Sequence, residues 1–172
     1  GVFDEQRYFR EGEKPAVVDV NGVRIGFSIC EDMWRPKGPA LAAAEAGASL
    51  ILNLSASPYH AGKIKERLGV LRKKTRECGS AIAYCNMVGG QDELVYDGGS
   101  LVMDRKGNVI AQAPMFEENL LLVDLDLPKA RGRASETSVS LPRQNRTPQT
   151  PLLSPALPRE QEIYTALALG TR

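Results

Sequence analysis

A thiol followed at once by two carboxylates is the strongest chemical feature of the sequence. Residues 26–34 read GFSICEDMW, so Cys30 is followed by Glu31 and Asp32 and then by the aromatic ring of Trp34. A thiol at a strand end can act as a nucleophile, because the turn presents its side chain and an unpaired backbone N–H outward. A free thiol has a pKa of about 8.5, which neighbouring acids raise, so a nearby cation is needed to activate it. The residues alone equally allow a buried, unreactive Cys30, which is the usual fate of a lone cysteine.

Strand and turn signals place Cys30 at the end of a strand. Two β-rich runs, AVVDV and VRIGFSIC, flank Asn21 and Gly22, a dipeptide that strongly favours a two-residue hairpin. Residues 36–47 are rich in alanine and close on glycine, which predicts a short helix, and residues 49–57 (SLILNLSAS) predict a buried strand. The sequence therefore predicts a strand, helix, strand unit with the thiol at the end of its first strand.

The middle of the chain continues this alternation. Residues 61–77 carry apolar side chains on one side of a helix and charges elsewhere, and residues 81–89 (AIAYCNMVG) predict another buried strand. Three further strand-like runs follow within residues 96–126, the last of which is LLLVDLDL, while the glycine pairs at 89–90 and 98–99 predict turns. The pattern predicts an α/β fold of layered helices and strands.

Composition divides the chain into three segments. Residues 1–127 carry the α/β pattern, and residues 128–159 are rich in proline, serine, threonine and arginine, which predicts an extended linker. Residues 160–172 return to helical spacing, but a helix of this length is marginal in water unless it packs on another element. We therefore interpret residues 160–172 as the first helix of a further, truncated domain.

Charge, hydropathy and cysteine usage argue against several classes of function. The 22 basic and 21 acidic residues nearly cancel and are mixed along the chain, so neither a nucleic acid nor a membrane is indicated as a partner. No apolar run approaches the ~20 residues of a membrane span, and the N-terminal residues lack a signal-peptide layout, which indicates a cytoplasmic protein. Cys30, Cys78, Cys85 and the single histidine, His60, match no disulfide framework or metal site, so no metal is expected. Cys78 and Cys85 are expected to be packing residues, and a dyad of Cys30 with His60 is a lesser alternative.

Several strings resemble one enzyme superfamily. ICEDMW at residues 29–34 resembles the nucleophile motif of the nitrilase, or carbon–nitrogen hydrolase, superfamily in its NAD-synthetase branch, where glutamate follows the cysteine. FDEQRYF at residues 3–9 resembles the segment after that family's catalytic lysine, and NLSASPYHAGKIKER at residues 53–67 resembles its substrate loop. Residues 86–100 and the closing EIYTALALG are also similar, so the likeness covers nearly the whole chain in the right order.

The resemblance implies a nitrilase-like α-β-β-α sandwich, present here in part, and glutamine hydrolysis by a Glu-Lys-Cys triad. Cys30 would attack the side-chain amide of glutamine, form a thioester and release ammonia, while the lysine and the backbone N–H of Glu31 stabilise the oxyanion. The ammonia would serve the ATP-dependent amidation of nicotinic acid adenine dinucleotide to NAD. That step would belong to a synthetase domain of the same parent chain, which would use ATP and Mg²⁺, and no cofactor is expected in the present segment.

The sequence departs from the family pattern at its start. Gly1 begins just past the position of the family's catalytic lysine, and the strand that bears the catalytic glutamate is also missing, so no residue here is assigned to either role. We therefore expect the chain alone to be inactive, since removing members of a catalytic unit costs orders of magnitude in rate. The resemblance also implies a homo-oligomer.

Four residues are candidate contacts to glutamine by their positions in the family pattern. Glu31 would bind the ammonium group, Ser57 and Lys63 would bind the head group, and Trp34 would wall the pocket. The plainer alternatives are a turn hydroxyl at Ser57, a solvated lysine at Lys63 and simple packing of Trp34. Glu5 is an auxiliary candidate that would orient the catalytic lysine, and its plainer alternative is a surface acid.

Two other functions stay open at this point. The chain is alternatively a stand-alone amidohydrolase of the same superfamily, acting on carbamoyl or other small amides, which predicts that nothing folded follows the linker. The helical ending EIYTALALG argues against that alternative. The third hypothesis is a catalytically inactive module that only packs against other subunits.

Overall fold

The chain folds around a mixed β-sheet. The computed structural model describes residues 7–132, 135–142 and 147–171. Its strands are β1 (Val17–Val20), β2 (Val23–Ile29), β3 (Leu50–Ser55), β4 (Ala81–Asn86), β5 (Val88–Gln91), β6 (Leu94–Asp97), β7 (Leu101–Met103), β8 (Val109–Gln112) and β9 (Ser138–Val139). Its α-helices are α1 (Pro39–Glu45), α2 (Lys63–Cys78) and α3 (Arg159–Gly170), and a 3₁₀ helix spans Cys30–Trp34.

The sheet is parallel at its centre. Its strand order is β8-β7-β4-β3-β2-β1-β9, and a separate hairpin pairs β5 with β6. Strands β2, β3 and β4 run parallel, with Ile25 opposite Leu50 and Leu50 opposite Ala81. Strands β1 and β2 form the predicted hairpin, whose turn residues Asn21 and Gly22 have φ values of 48° and 81°. Both values are positive, as the favoured two-residue turn requires, so the hairpin prediction is confirmed.

Helices α1 and α2 cover one face of the sheet. The core between them consists of buried apolar side chains, including Met33, Ala43, Ile51, Leu71, Ile82 and Met103. Because side chains alternate along a strand, their neighbours point to the opposite face. On that face Ile29 and its partner Leu54 are 64% and 56% exposed. The described residues therefore form one helical layer on one side of the sheet.

Gly26 allows α1 to approach β2 closely. A Cβ atom at Gly26 would lie 2.5 Å from the Cβ of Ala43 and 2.9 Å from the Cδ1 of Ile51. We expect Gly26→Val to lower the free energy of unfolding by about 1–3 kcal/mol, because the extra atoms overpack the core. Chemical denaturation of the purified chain measures this change.

Gly69→Ala is the matched control for this prediction. Gly69 is exposed within α2, and a Cβ atom there would meet no atom within 4 Å. Alanine favours the helix over glycine, so this variant is expected to gain roughly 0.5–1 kcal/mol of stability. A loss of stability in both variants, or in neither, contradicts the tight packing inferred at Gly26.

The run LLLVDLDL, predicted to be a strand, forms none. Residues 120–127 alternate between exposed and half-buried, as strand residues do, but they pair with no described strand. The outer edge of β8 is occupied by residues 152–154 instead, since Gln112 N–H donates to Leu152 O at 2.7 Å and Ser154 N–H donates to Gln112 O at 3.0 Å. The prediction is wrong because a period-two burial pattern indicates only that the chain is extended along a surface. It does not indicate that the edge of a neighbouring strand is free to pair with this segment.

The two glycine pairs have different roles. Gly98 and Gly99 both have φ near 61° and connect β6 to β7, which confirms the predicted turn. Gly89 and Gly90 lie within β5, so the turn predicted there is wrong. Gly90 is placed for close contact, because a Cβ atom on it would lie 3.2 Å from the Cα of Gly170 in α3.

The described residues after 127 touch the domain at several points. Before α3 they are largely irregular, although β9 pairs in parallel with β1 and Asp19 N–H donates to the hydroxyl of Ser135 at 3.0 Å. Helix α3 packs on the hairpin of β5 and β6. The division into residues 1–127, 128–159 and 160–172, with α3 opening a further domain, stays a prediction. Among the described residues, no helix combines the length and apolarity that crossing a membrane requires.

Candidate active site

Cys30 lies at the junction of β2 and the 3₁₀ helix, as the sequence predicts. Its φ of 41° is in the left-handed region, which is uncommon for a residue with a side chain. The turn is held by Asp32, whose Oδ2 accepts a hydrogen bond from Ile29 N–H at 2.9 Å. Cys30 is a free, half-buried thiol. Backbone strain of this kind clusters at functional sites, where the surrounding structure holds a side chain in an otherwise unfavourable position.

The carboxyl ends of three parallel strands meet beside Cys30. The register pairs Ile29 of β2 with Leu54 of β3, and Ser55 of β3 with Asn86 of β4. The residues that follow these strands therefore lie at one edge of the sheet, which is where ligands bind in α/β folds. The structure thus places the turn at Cys30 and the loop of residues 56–62 at the same edge.

Trp34 and Lys63 are brought together at the start of α2. The Nζ of Lys63 lies 5.4 Å from the centre of the Trp34 ring, a cation–π contact, and 3.1 Å from Oε1 of Glu66. Glu66 also lies 3.2 Å from Nε2 of His60. Hydrogen bonding by Lys63 is the main cause that lowers the pKa of Glu66. The lysine predicted to bind substrate therefore already has a carboxylate and an aromatic partner.

Ser57 is buried, and its backbone is hydrogen-bonded to the side chain of Asn86. Its backbone N–H donates to Oδ1 of Asn86 at 2.9 Å, and the Tyr84 hydroxyl lies 3.4 Å from the same oxygen. Burial is the main cause that raises the pKa of Tyr84, and the Cys30 thiol is close enough to act in the same direction. These contacts place Ser57, Tyr84 and Asn86 in one neighbourhood.

An ion pair without solvent exposure supports this neighbourhood. The guanidinium of Arg67 donates two hydrogen bonds to Asp97, at 2.9 and 3.0 Å, and both side chains are 0% exposed. Arg67 also lies over the Tyr84 ring at 5.3 Å, and Asn86 Nδ2 donates to Asp97 at 3.2 Å. The ion pair therefore contacts both Tyr84 and Asn86, the two residues next to Ser57.

Arg67 occupies an apolar position of α2, which is itself a signal in the sequence. Arg67 stands three residues after Ile64 and four before Leu71, so it lies on the apolar side of α2 together with Leu68. A charge within an apolar stripe needs a buried partner. The partner, Asp97, is at the end of β6 and is 30 residues away in the chain, and no local pattern identifies it.

The other candidate residues have varied settings. Glu31 is exposed on the first turn of the 3₁₀ helix, and Glu5 lies outside the described residues. His60 is exposed beside Glu66. Cys78 is half-buried, and burial raises the pKa of its thiol, in keeping with packing. Cys85 is exposed on the uncovered sheet face, so its predicted packing role is wrong for the described residues, because the strand is covered on one face only.

Comparison with known sequences identifies a family and a set of relatives. The model of the carbon–nitrogen hydrolase family matches residues 1–134. The chain is 43% identical to a glutamine-dependent NAD(+) synthetase of Thermotoga maritima, with 100% of this chain and 33% of the relative covered. Its identity to the enzyme of the same name from Aquifex aeolicus is 42%, over 99% of this chain and 33% of the relative. The chain thus spans about a third of the length of these relatives.

Solved structures show the same likeness. The glutamine-dependent NAD+ synthetase of Acinetobacter baumannii, in complex with ADP, matches with a TM-score of 0.77 and 33% identity, covering 99% of this chain and 29% of that one. An amidase of the nitrilase superfamily from Nesterenkonia AN1 matches with a TM-score of 0.55 and 28% identity, covering 62% of this chain and 40% of that one. These matches confirm the predicted nitrilase-like α/β fold. The chain belongs to the carbon–nitrogen hydrolase family.

Proposed function

We propose that the chain is the nucleophile-bearing part of a glutamine-hydrolysing domain. The Cys30 thiolate attacks the side-chain carbonyl carbon of glutamine and forms a C–S bond. The C–N bond then breaks, and ammonia leaves after taking up a proton. Water hydrolyses the remaining thioester to glutamate and returns the thiol. The observation that carries the proposal is the position of Cys30, half-buried and with positive φ at a strand end, in a chain similar to glutamine-dependent NAD(+) synthetases.

The proposed chemistry has support from a structural neighbour. A single-residue mutant of the amidase from Nesterenkonia sp. AN1 shows covalent addition of the acetamide moiety of fluoroacetamide at its active site cysteine. That protein matches this chain with a TM-score of 0.55 and 29% identity. A cysteine nucleophile is therefore compatible with this fold.

The activating cation is proposed to come from outside the present chain. Lys63 is the lysine at the start of α2, but it is paired with Glu66 and stacked on Trp34. We assign the catalytic lysine and the proton-shuttling glutamate to residues that precede Gly1 in the parent protein. The backbone N–H of Glu31, next to the nucleophile, joins the lysine in stabilising the oxyanion.

The substrate contacts follow from charge and position. Glu31 is an exposed carboxylate next to Cys30 and suits the ammonium group of glutamine. Lys63 and Ser57 flank the loop at the same sheet edge and suit the head group, and Trp34 forms a wall of the pocket through its contact with Lys63. Glu5 keeps its proposed auxiliary role of orienting the catalytic lysine.

The released ammonia is proposed to serve a second reaction in the parent protein. A synthetase domain following residue 159 would amidate nicotinic acid adenine dinucleotide to NAD with ATP and Mg²⁺, and the assembly would be a homo-oligomer. No residue of the present chain is assigned to ATP or Mg²⁺. The support is the name and coverage of the relatives, in which this region is about a third of the whole.

Activity assays on two lengths of polypeptide test the proposal. The 172-residue chain alone is expected to release no ammonia from glutamine above the blank, because the lysine and glutamate of the catalytic unit are assigned here to residues outside it. A polypeptide extended at its N-terminus to include the preceding segment is expected to release ammonia and glutamate in equal amounts. Carbamoyl and small amide substrates, offered to the extended protein, test the stand-alone amidohydrolase instead. Glutamine turnover by the short chain, or none by the extended protein, contradicts the proposal.

A further inference from the structure

Helix α3 docks on the β5 and β6 hairpin through close contacts at two glycines. A Cβ atom on Gly170 would lie 3.0 Å from Cγ2 of Val95, and one on Gly90 would lie 3.2 Å from the Cα of Gly170. Ala166 is 5% exposed and belongs to the main apolar core. The helix is therefore seated on the domain in one defined position.

This position directs a carboxylate toward the loop that precedes α2. Glu162 is 8% exposed, and its Oε1 accepts a hydrogen bond from Gly62 N–H at 3.2 Å, across 100 residues of sequence. Gly62 is the N-cap residue of α2 and has a φ of 83°. An acidic group is favourable there, because the first N–H groups of a helix carry partial positive charge. The cap of α2 is thus supplied by α3.

The Glu162 carboxylate also affects the pKa of Tyr59. The Tyr59 hydroxyl is buried, and burial followed by the adjacent Glu162 raises the pKa of Tyr59 to about 12. The Tyr59 ring packs edge-on against Phe116 at 5.2 Å, and its backbone N–H donates to Val95 O at 2.7 Å. Glu162 is therefore hydrogen-bonded to the loop at Gly62 and raises the pKa of Tyr59, whose hydroxyl has no hydrogen-bond partner among the described residues.

We propose that Glu162 is a positioning residue for the glutamine-binding loop. The loop, residues 56–62, carries Ser57 near its start and ends at Gly62, which is bonded directly to Lys63. By fixing Gly62, the α3 carboxylate sets where the Lys63 ammonium and the Ser57 hydroxyl stand relative to Cys30. The inference rests on the proposed glutaminase function. It also makes substrate binding sensitive to any displacement of α3.

Steady-state kinetics of the extended enzyme test this role. Glu162→Leu is expected to raise the KM for glutamine about tenfold, the effect of losing a hydrogen bond to a charged group, while kcat changes less than about twofold. Glu162→Gln keeps an oxygen that can accept from Gly62 N–H and is expected to restore most of the affinity. Glu160→Gln, an exposed acid on the same helix, is the control and is expected to leave KM unchanged.

Hydrogen exchange provides a readout that does not depend on activity. Peptides covering residues 57–65 are expected to exchange about tenfold faster in Glu162→Leu than in Glu160→Gln, because the cap of α2 is lost. An unchanged KM together with unchanged exchange overturns the proposal, as does a fall in kcat alone. If Glu162→Leu fails to fold, Glu162→Asp gives the same test, since it keeps the charge but is one methylene too short to reach Gly62. A wild-type enzyme without glutamine turnover refutes the proposed function, while the exchange result still decides the role of Glu162.

Discussion

Replacing Cys30 with alanine is expected to lower the rate of glutamine hydrolysis by about 10⁵-fold in the extended polypeptide, since removing the nucleophile of a covalent mechanism leaves only binding and oxyanion stabilisation. The methyl side chain of alanine has no atom that can attack the amide. The strand and the 3₁₀ helix are expected to persist, because the side chain of Cys30 is only half-buried. Ammonia release, followed by a coupled assay, measures the loss.

The other two cysteines are the matched controls for this experiment. Cys78 is half-buried at the end of α2, and Cys85 is exposed on the opposite face of β4. Cys78→Ala and Cys85→Ala are each expected to keep the rate within about twofold, since Cys78 ends α2 and Cys85, although near the end of β4, is exposed on the sheet face away from the helices. Turnover that persists in Cys30→Ala, or that disappears in either control, contradicts the assignment of the nucleophile.

The second large effect concerns stability. Arg67→Met is expected to lower the free energy of unfolding by about 3–5 kcal/mol, because it leaves the Asp97 carboxylate buried without its charged partner. Among the described residues, the Asp97 carboxylate then keeps only the 3.2 Å hydrogen bond from Asn86 to offset its burial. Urea denaturation of the purified chain, followed by far-ultraviolet circular dichroism, measures the change.

Two variants make this stability test specific. Lys73→Met breaks an exposed pair with Glu77, at 3.8 Å, and is expected to change stability by less than about 1 kcal/mol. The double variant Arg67→Met with Asp97→Leu removes both charges, and we expect it to be more stable than the sum of the two single changes implies. A loss in Arg67→Met no greater than in Lys73→Met contradicts the structural role of the pair.

Local sequence patterns predict the elements that position the site. Asn21 and Gly22 predict the first hairpin, and the apolar run that follows predicts a strand ending at Cys30. The charged and apolar spacing of residues 61–77 predicts α2 to within two residues of its observed ends at Lys63 and Cys78. These predictions succeed because hairpin turns and amphipathic helices are specified by residues close together in the chain.

Contacts between distant segments escape such patterns. The pairing of Arg67 with Asp97 and the cap that Glu162 gives to α2 join residues 30 and 100 positions apart. The run LLLVDLDL shows the converse, since its alternation is correct for an extended chain while residues 152–154 occupy the sheet edge that it would need. The assembled fold decides which strand edge is free to pair. It also decides which charged side chains form ion pairs with each other.

Sequence patterns also predict part of the arrangement around Cys30. The motif and loop predict that Trp34 and Lys63 lie near the nucleophile, and the structure places them in contact with each other at 5.4 Å. Their roles toward glutamine stay proposals. Glu66 was not predicted, because a glutamate three residues after Lys63 in a charged helix looks like an ordinary surface pair.

The most direct measurement is covalent labelling of the extended protein with a glutamine analogue that carries an electrophilic carbon in place of the side-chain amide. Peptide mass spectrometry after digestion is expected to find one label per chain, on the peptide containing Cys30, and excess glutamine is expected to slow its attachment. Label on Cys78 or Cys85, or labelling of Cys30 that glutamine does not slow, would show that this thiol is not the nucleophile of a glutamine site.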